Sequence, residues 1–124
     1  MRYFMRSGFT LIELIVVLSI ISIIAAFAVP QFSKTILRSK ARSAMTNISI
    51  IHAANALFLS RSGANTTAGD VAAINTALGL NIKADGATYS CSSGTECTAT
   101  GTGFVVTTPN TSSGVATCTG TSCP

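Results

Sequence analysis

An unbroken apolar stretch, Phe9 to Val29, decides most of what this chain can become. Its length of about 21 residues meets the ~20 that a helix needs to cross a bilayer. Within it stands one charge, Glu13. A lone carboxylate in hydrocarbon is costly unless a partner is brought to it. Gly8, just ahead of the run, is small and marks a place to cut. A cut there would leave a new ammonium on Phe9, at the end of the run that carries Glu13. That carboxylate and that amine are the candidate chemistry of the chain.

Met1 to Gly8 reads as a short basic leader, with Arg2 and Arg6. An ordinary secretory signal would instead be cleaved after Ala26-Phe27-Ala28, which fits the small-x-small pattern. Glu13 interrupts the apolar core of such a signal, and the run exceeds the usual 7–15 residues. Gly8-Phe9-Thr10-Leu11-Ile12-Glu13, with Pro30 closing the apolar run, resembles the processing motif of type IV pilins and type II secretion pseudopilins. The resemblance covers roughly Met1 to Arg42, about a third of the chain. It implies that a prepilin peptidase cuts between Gly8 and Phe9 and that Phe9 is then N-methylated, which keeps its positive charge. It further implies an inner-membrane assembly platform as partner and a single-pass subunit with its head in the periplasm. After assembly the subunit would lie in an extracellular filament.

From Pro30 the helical pattern continues. Ala41, Ala44, Met45, Ile48, Ile51, Asn55 and Phe58 recur at three- and four-residue steps, one face of an amphipathic helix. Gly63 is the expected stop. Phe9 to Ser60 then forms one helix, roughly 78 Å long at 1.5 Å per residue. Pro30 cannot donate to the carbonyl of Ala26, so a kink is expected there. Ser19 and Ser22 can bond back to the backbone within the apolar stretch.

Apolar weight falls off after Phe58, and the remainder is rich in Thr, Ser and Gly. Asn65 to Gly69 reads as a polar connector and Asp70 to Leu78 as a short helix ending at Gly79. Val71, Ile74 and Leu78 form its expected buried stripe. Asp85-Gly86 signals a turn. Four short β-type runs follow: Ala87 to Cys91, Glu96 to Thr100, Gly103 to Thr108 and Gly114 to Cys118. Their spacing suggests an antiparallel meander, too small to hold a core unless it packs on the Ala44–Phe58 part of the long helix. The fold expected is α+β and type IV pilin-like, with a long transmembrane helix on a small sheet and a disulfide-bonded head. Its divisions are a leader (1–8), a transmembrane or filament-core helix (9–29), an amphipathic second half (30–62) and a globular head (63–124).

Cys91, Cys97, Cys118 and Cys123 all lie in the last third. An even count in a short exported segment reads as two disulfides. Four cysteines allow three pairings. Cys91–Cys97 and Cys118–Cys123 are favoured because each pair flanks a short turn-rich loop. Zinc is disfavoured by the absence of tight spacing and by the distance of His52, the only histidine. Disulfides place the head outside the cytoplasm, although Lys34, Arg38, Lys40 and Arg42 outnumber the leader's arginines and oppose the positive-inside rule.

The net charge of +4 falls to +2 once Arg2 and Arg6 leave with the leader. The basic cluster after the apolar run reads as solvated helix positions or lipid headgroup contact. Nucleic acid is not indicated, because no aromatics interleave with these charges. Asp70, Asp85 and Glu96 are scattered, and no nucleophile–base pair or phosphate loop stands out. Neither an enzyme nor a cofactor is expected. Some pseudopilins of the resembled family hold calcium in a C-terminal loop, but carboxylates are sparse there. Asn65-Thr66-Thr67 and Asn110-Thr111-Ser112 match the glycosylation pattern, which is common by chance.

The reading is a filament subunit. Membrane-held copies exchange lipid for each other's apolar helices, and Glu13 pairs with the Phe9 amine of a neighbour. At 4 Å and an effective dielectric near 20 that pair gains about 4 kcal/mol before desolvation. Its value lies in register more than in net stability. A heterologous contact that does not close grows a fibre, suited to adhesion or motility. A pseudopilin or minor pilin of a type II secretion or DNA-uptake machine is the alternative; a secreted or anchored binding module is a third.

Overall fold

The computed structural model describes residues 8–92, 96–108 and 115–124. Two α-helices come first, α1 (Leu11–Ser62) and α2 (Val71–Leu78). Four strands follow, β1 (Ala87–Cys91), β2 (Cys97–Gly101), β3 (Phe104–Thr107) and β4 (Thr117–Thr119). The chain divides into two compact units, one up to Ser33 and one from Lys34 onward.

In the first unit every described residue is exposed, including Leu11, Ile12, Ile15, Phe27 and Phe32. This stretch is long and apolar enough to cross a membrane. Its serines hide their hydroxyls inside the helix: Ser19 donates to the carbonyl of Ile15 at 2.8 Å and Ser22 to that of Leu18 at 2.7 Å. Such back-bonding removes the cost of a bare hydroxyl in an apolar setting. Pro30 lies within α1.

The second unit has a core. Ala41, Ala44, Ile48, Ile51 and Asn55 form the buried face of α1, the i, i+3, i+4 spacing that keeps side chains on one side. Met45 and Phe58, expected on the same face, are only half-buried at its margin. Against this face lie Tyr89, Cys97, Ala99, Phe104 and Val106 from the sheet, with Ile74 from α2 and Ile82 from the loop after it. The sheet runs β1-β2-β3-β4, all antiparallel. Each strand turns alternate residues inward, and β1 reads buried–exposed–buried along Ala87, Thr88, Tyr89, Ser90 and Cys91.

The outward face is almost all hydroxyl. Thr88 pairs with Thr100, Ser90 with Thr98, Thr98 with Thr107, and Thr107 with Thr117. Val105, opposite Thr119, is the exception. Ser90 and Thr98 share a hydrogen bond at 3.0 Å, and Thr107 and Thr117 one at 3.1 Å. These cross-strand contacts stabilise a sheet that has no charged side chain on this face.

Several boundaries differ from those expected. Helix α1 begins at Leu11, not Phe9, because Thr10 caps it, and ends at Ser62, not Ser60. The stop comes at Gly63, whose φ of 73° is left-handed and whose N–H bonds the carbonyl of Leu59 at 2.9 Å. The connector 65–69 is not merely a polar link. Thr66 is buried and donates its N–H to Asn55 Oδ1 at 2.9 Å. Ala68 exchanges both backbone hydrogen bonds with Cys91, at 3.1 and 2.7 Å, covering part of the free edge of β1. Strand β2 begins one residue later than expected, at Cys97, and β3 begins at Phe104 because Gly103 (φ 79°) belongs to the turn before it. The fourth strand is three residues, Thr117–Thr119. Gly114, where it was expected to start, lies outside the described residues, as do the leader up to Ser7 and the sequon at Asn110.

Candidate functional site

Gly8, Phe9 and Thr10 precede the first turn of α1, and all three are exposed. A Cβ added at Gly8 would meet nothing within 4 Å among the described residues. Phe9 is 82% exposed. In the uncut chain its nitrogen is a peptide N–H and carries no charge.

Thr10 occupies the cap position, a role that the sequence reading missed. Its hydroxyl accepts from the N–H of Glu13 at 3.4 Å and donates to Glu13 Oε2 at 3.4 Å. Thr-x-x-Glu is the spacing of a capping box, and a carboxylate in the first helical turn also suits the helix dipole. The signal lies in Thr10-Leu11-Ile12-Glu13 itself, a cap residue with an acid three positions on. Both contacts are long for hydrogen bonds. They orient the Glu13 side chain without supplying an opposite charge.

The cysteines stand in the second unit. Cys91 and Cys97 are register partners at the end of the β1–β2 hairpin and are joined, with Cα atoms 4.1 Å apart. Cys118 and Cys123 are joined across the C-terminal loop, with Cα atoms 5.8 Å apart. His52 is half-buried on α1. Among the described residues no three His, Cys, Asp or Glu side chains gather where they could hold a metal ion.

The sequence of this region matches the family model described as the prokaryotic N-terminal methylation motif, over residues 4–29. The type IV major pilin protein PilA of Myxococcus xanthus is 49% identical over 53 residues, 43% of this chain and 24% of that protein. The type IV major fimbrial protein FimA of Dichelobacter nodosus is 54% identical over 37 residues, 30% of this chain and 23% of that protein. The matched stretch thus spans about a quarter of the length of these relatives. No solved structure matches the chain significantly. Through the segment that holds Gly8, Phe9 and Glu13, the chain carries a prokaryotic N-terminal methylation motif and is similar to the type IV major pilins.

Proposed function

We propose that this chain is a structural subunit of a type IV pilus-like filament. The observation that carries the reading is the pairing of the methylation motif with a helix half that the chain leaves wholly exposed. Large apolar side chains from Leu11 to Phe32 stand free, each worth roughly 1.5–3 kcal/mol if removed from water. A bilayer covers them before assembly, and the helices of other copies cover them afterwards.

A prepilin peptidase cuts between Gly8 and Phe9 and methylates Phe9. A Cβ at Gly8 would meet no described residue, and the smallness of Gly8 serves the cleft of that enzyme. The ammonium so created meets Glu13 of a neighbouring copy, and Thr10 holds the carboxylate in place until then. Leader 1–8, apolar helix 9–29, amphipathic half 30–62 and head 63–124 are the working divisions. The subunit waits in the inner membrane with its disulfide-bonded head in the periplasm, and an assembly platform adds it to the fibre.

Mass spectrometry of the mature N-terminus, with electron microscopy of cells making this chain, tests the proposal. A methylated Phe9 terminus and a fibre built mainly of this chain are expected. A terminus at Val29 would reject it, and a processed chain without its own abundant fibre would favour a pseudopilin or minor-pilin role.

A further inference from the structure

One cavity away from the N-terminal motif gathers cations and hydroxyls. Lys34, Leu37 and Arg38 of α1 line it with Thr121 and Ser122 of the C-terminal loop, around a volume of about 310 Å³. Lys34 and Arg38 stand four residues apart and so share a helix face. No carboxylate among the described residues forms an ion pair with either.

The loop opposite them is held firmly. The Cys118–Cys123 disulfide closes it, and the Ser122 N–H bonds the carbonyl of Gly103 at 3.0 Å. It sits so close to the β2–β3 turn that a Cβ on Gly103 would lie 2.6 Å from the Ser122 hydroxyl. Ser122 is only 6% exposed overall, and it lines the cavity beside Thr121. Two cations on one helix face and two hydroxyl side chains on a disulfide-closed loop, around one cavity, are the donor set of an anion site.

We propose that this cavity binds a phosphate group, and that its source is the headgroup of an anionic phospholipid. Arg38 offers a planar fork to two phosphate oxygens and Lys34 a point charge, while Thr121 and Ser122 supply neutral donors. Lys34 follows Val29 by five positions, and five residues reach at most about 18 Å even when fully extended. The cavity therefore stays within reach of the headgroup layer whenever the apolar run is embedded. This choice of source rests on the membrane-held state proposed above; the phosphate chemistry of the cavity does not.

The test reconstitutes the full chain in phosphatidylcholine vesicles with and without phosphatidylglycerol, and counts retained lipid by native mass spectrometry after detergent extraction. Lys34→Gln with Arg38→Gln should lower retained phosphatidylglycerol about tenfold, the scale of one lost charge-assisted hydrogen bond. Lys40→Gln with Arg42→Gln removes the same charge outside the cavity and should change it less than about twofold. Thr121→Val, which alters no charge, should fall between them. Equal loss in both double variants would overturn the site in favour of general surface charge. A second arm titrates inorganic phosphate into the detergent-solubilised chain. Phosphate binding with the same ranking of variants but no retained lipid would overturn the headgroup as source, and binding of neither would overturn the site. Cosedimentation with phosphatidylcholine vesicles alone reports separately whether the apolar run embeds.

Discussion

Asn47 donates its side-chain N–H to the Tyr89 hydroxyl at 2.9 Å, tying α1 to β1 across 42 positions of chain. The two ends of this bond differ in surroundings. Tyr89 is 2% exposed, whereas Asn47 is half-buried. Removing the amide strands a buried hydroxyl, and removing the hydroxyl leaves an amide that water can reach. Asn47→Leu should therefore cost about 1–3 kcal/mol and Tyr89→Phe about 1 kcal/mol or less. Denaturant unfolding of the full chain in detergent measures both, and equal costs would contradict this asymmetry.

The same tyrosine makes the head sensitive to alkali. Burial raises the Tyr89 pKa above its ordinary 10.0; the Asn47 hydrogen bond pulls it down, and the negative charge of Asp85 pushes it up. Unfolded tyrosine ionises near 10, so above that pH the unfolded state loses its proton first. Stability should be complete below about pH 10 and fall as pH climbs through the folded value. Tyr3 and Tyr89 are the two tyrosines. In a Tyr3→Phe background an absorbance titration thus follows Tyr89 alone, and Tyr89→Phe should remove this alkaline loss.

Helix α2 depends on its first residue. Asp70 accepts from the N–H of Ala73 at 2.7 Å, and Gly79 closes the other end at φ 67°. Asp70→Ala should cost about 1 kcal/mol. Hydrogen exchange should speed up in the amides of Val71–Leu78 before it does so in the sheet.

Each disulfide closes a short loop, with sequence separations of 6 and 5. Loop-closure entropy assigns each a stabilisation of about 2 kcal/mol. Serine pairs at Cys91 and Cys97, or at Cys118 and Cys123, should lower the unfolding midpoint by similar amounts. A far larger loss from one pair would show that it also holds packing in place.

Variants at Thr10 and Glu13 tell the local cap apart from the proposed pairing between copies. Glu13→Ala should leave the chain cut and membrane-bound but unpolymerised. Thr10→Ala removes only the cap and should still yield fibres, in lower number. Abundant normal fibres from Glu13→Ala would contradict the pairing with Phe9.

Much of this molecule was legible because its strongest signals are periodic. Ala41, Ala44, Ile48 and Ile51 repeat at helical steps, and Thr88 to Ser90 and Thr98 to Thr100 alternate as strands do. What escaped was contact between distant residues. Thr66 sits in a stretch that looks like a loop by composition, but Asn55 satisfies its N–H and lets it be buried. Ala68 has no strand pattern around it and still pairs with Cys91, since the edge of β1 needs partners. Asn75 clamps Ile82 through both its amide atoms at 2.9 Å, a closure invisible until the fold brings them together. At the candidate site, Gly8, Phe9 and Glu13 stood out by residue type, whereas Thr10 was hidden behind the more conspicuous carboxylate.

The threonine-covered side of the sheet stays soluble through hydroxyls instead of ionised groups. Copies crowded shoulder to shoulder through such a surface would perform little Coulomb work against one another. Their spacing there should accordingly be almost indifferent to whether the surroundings are fresh water or brine.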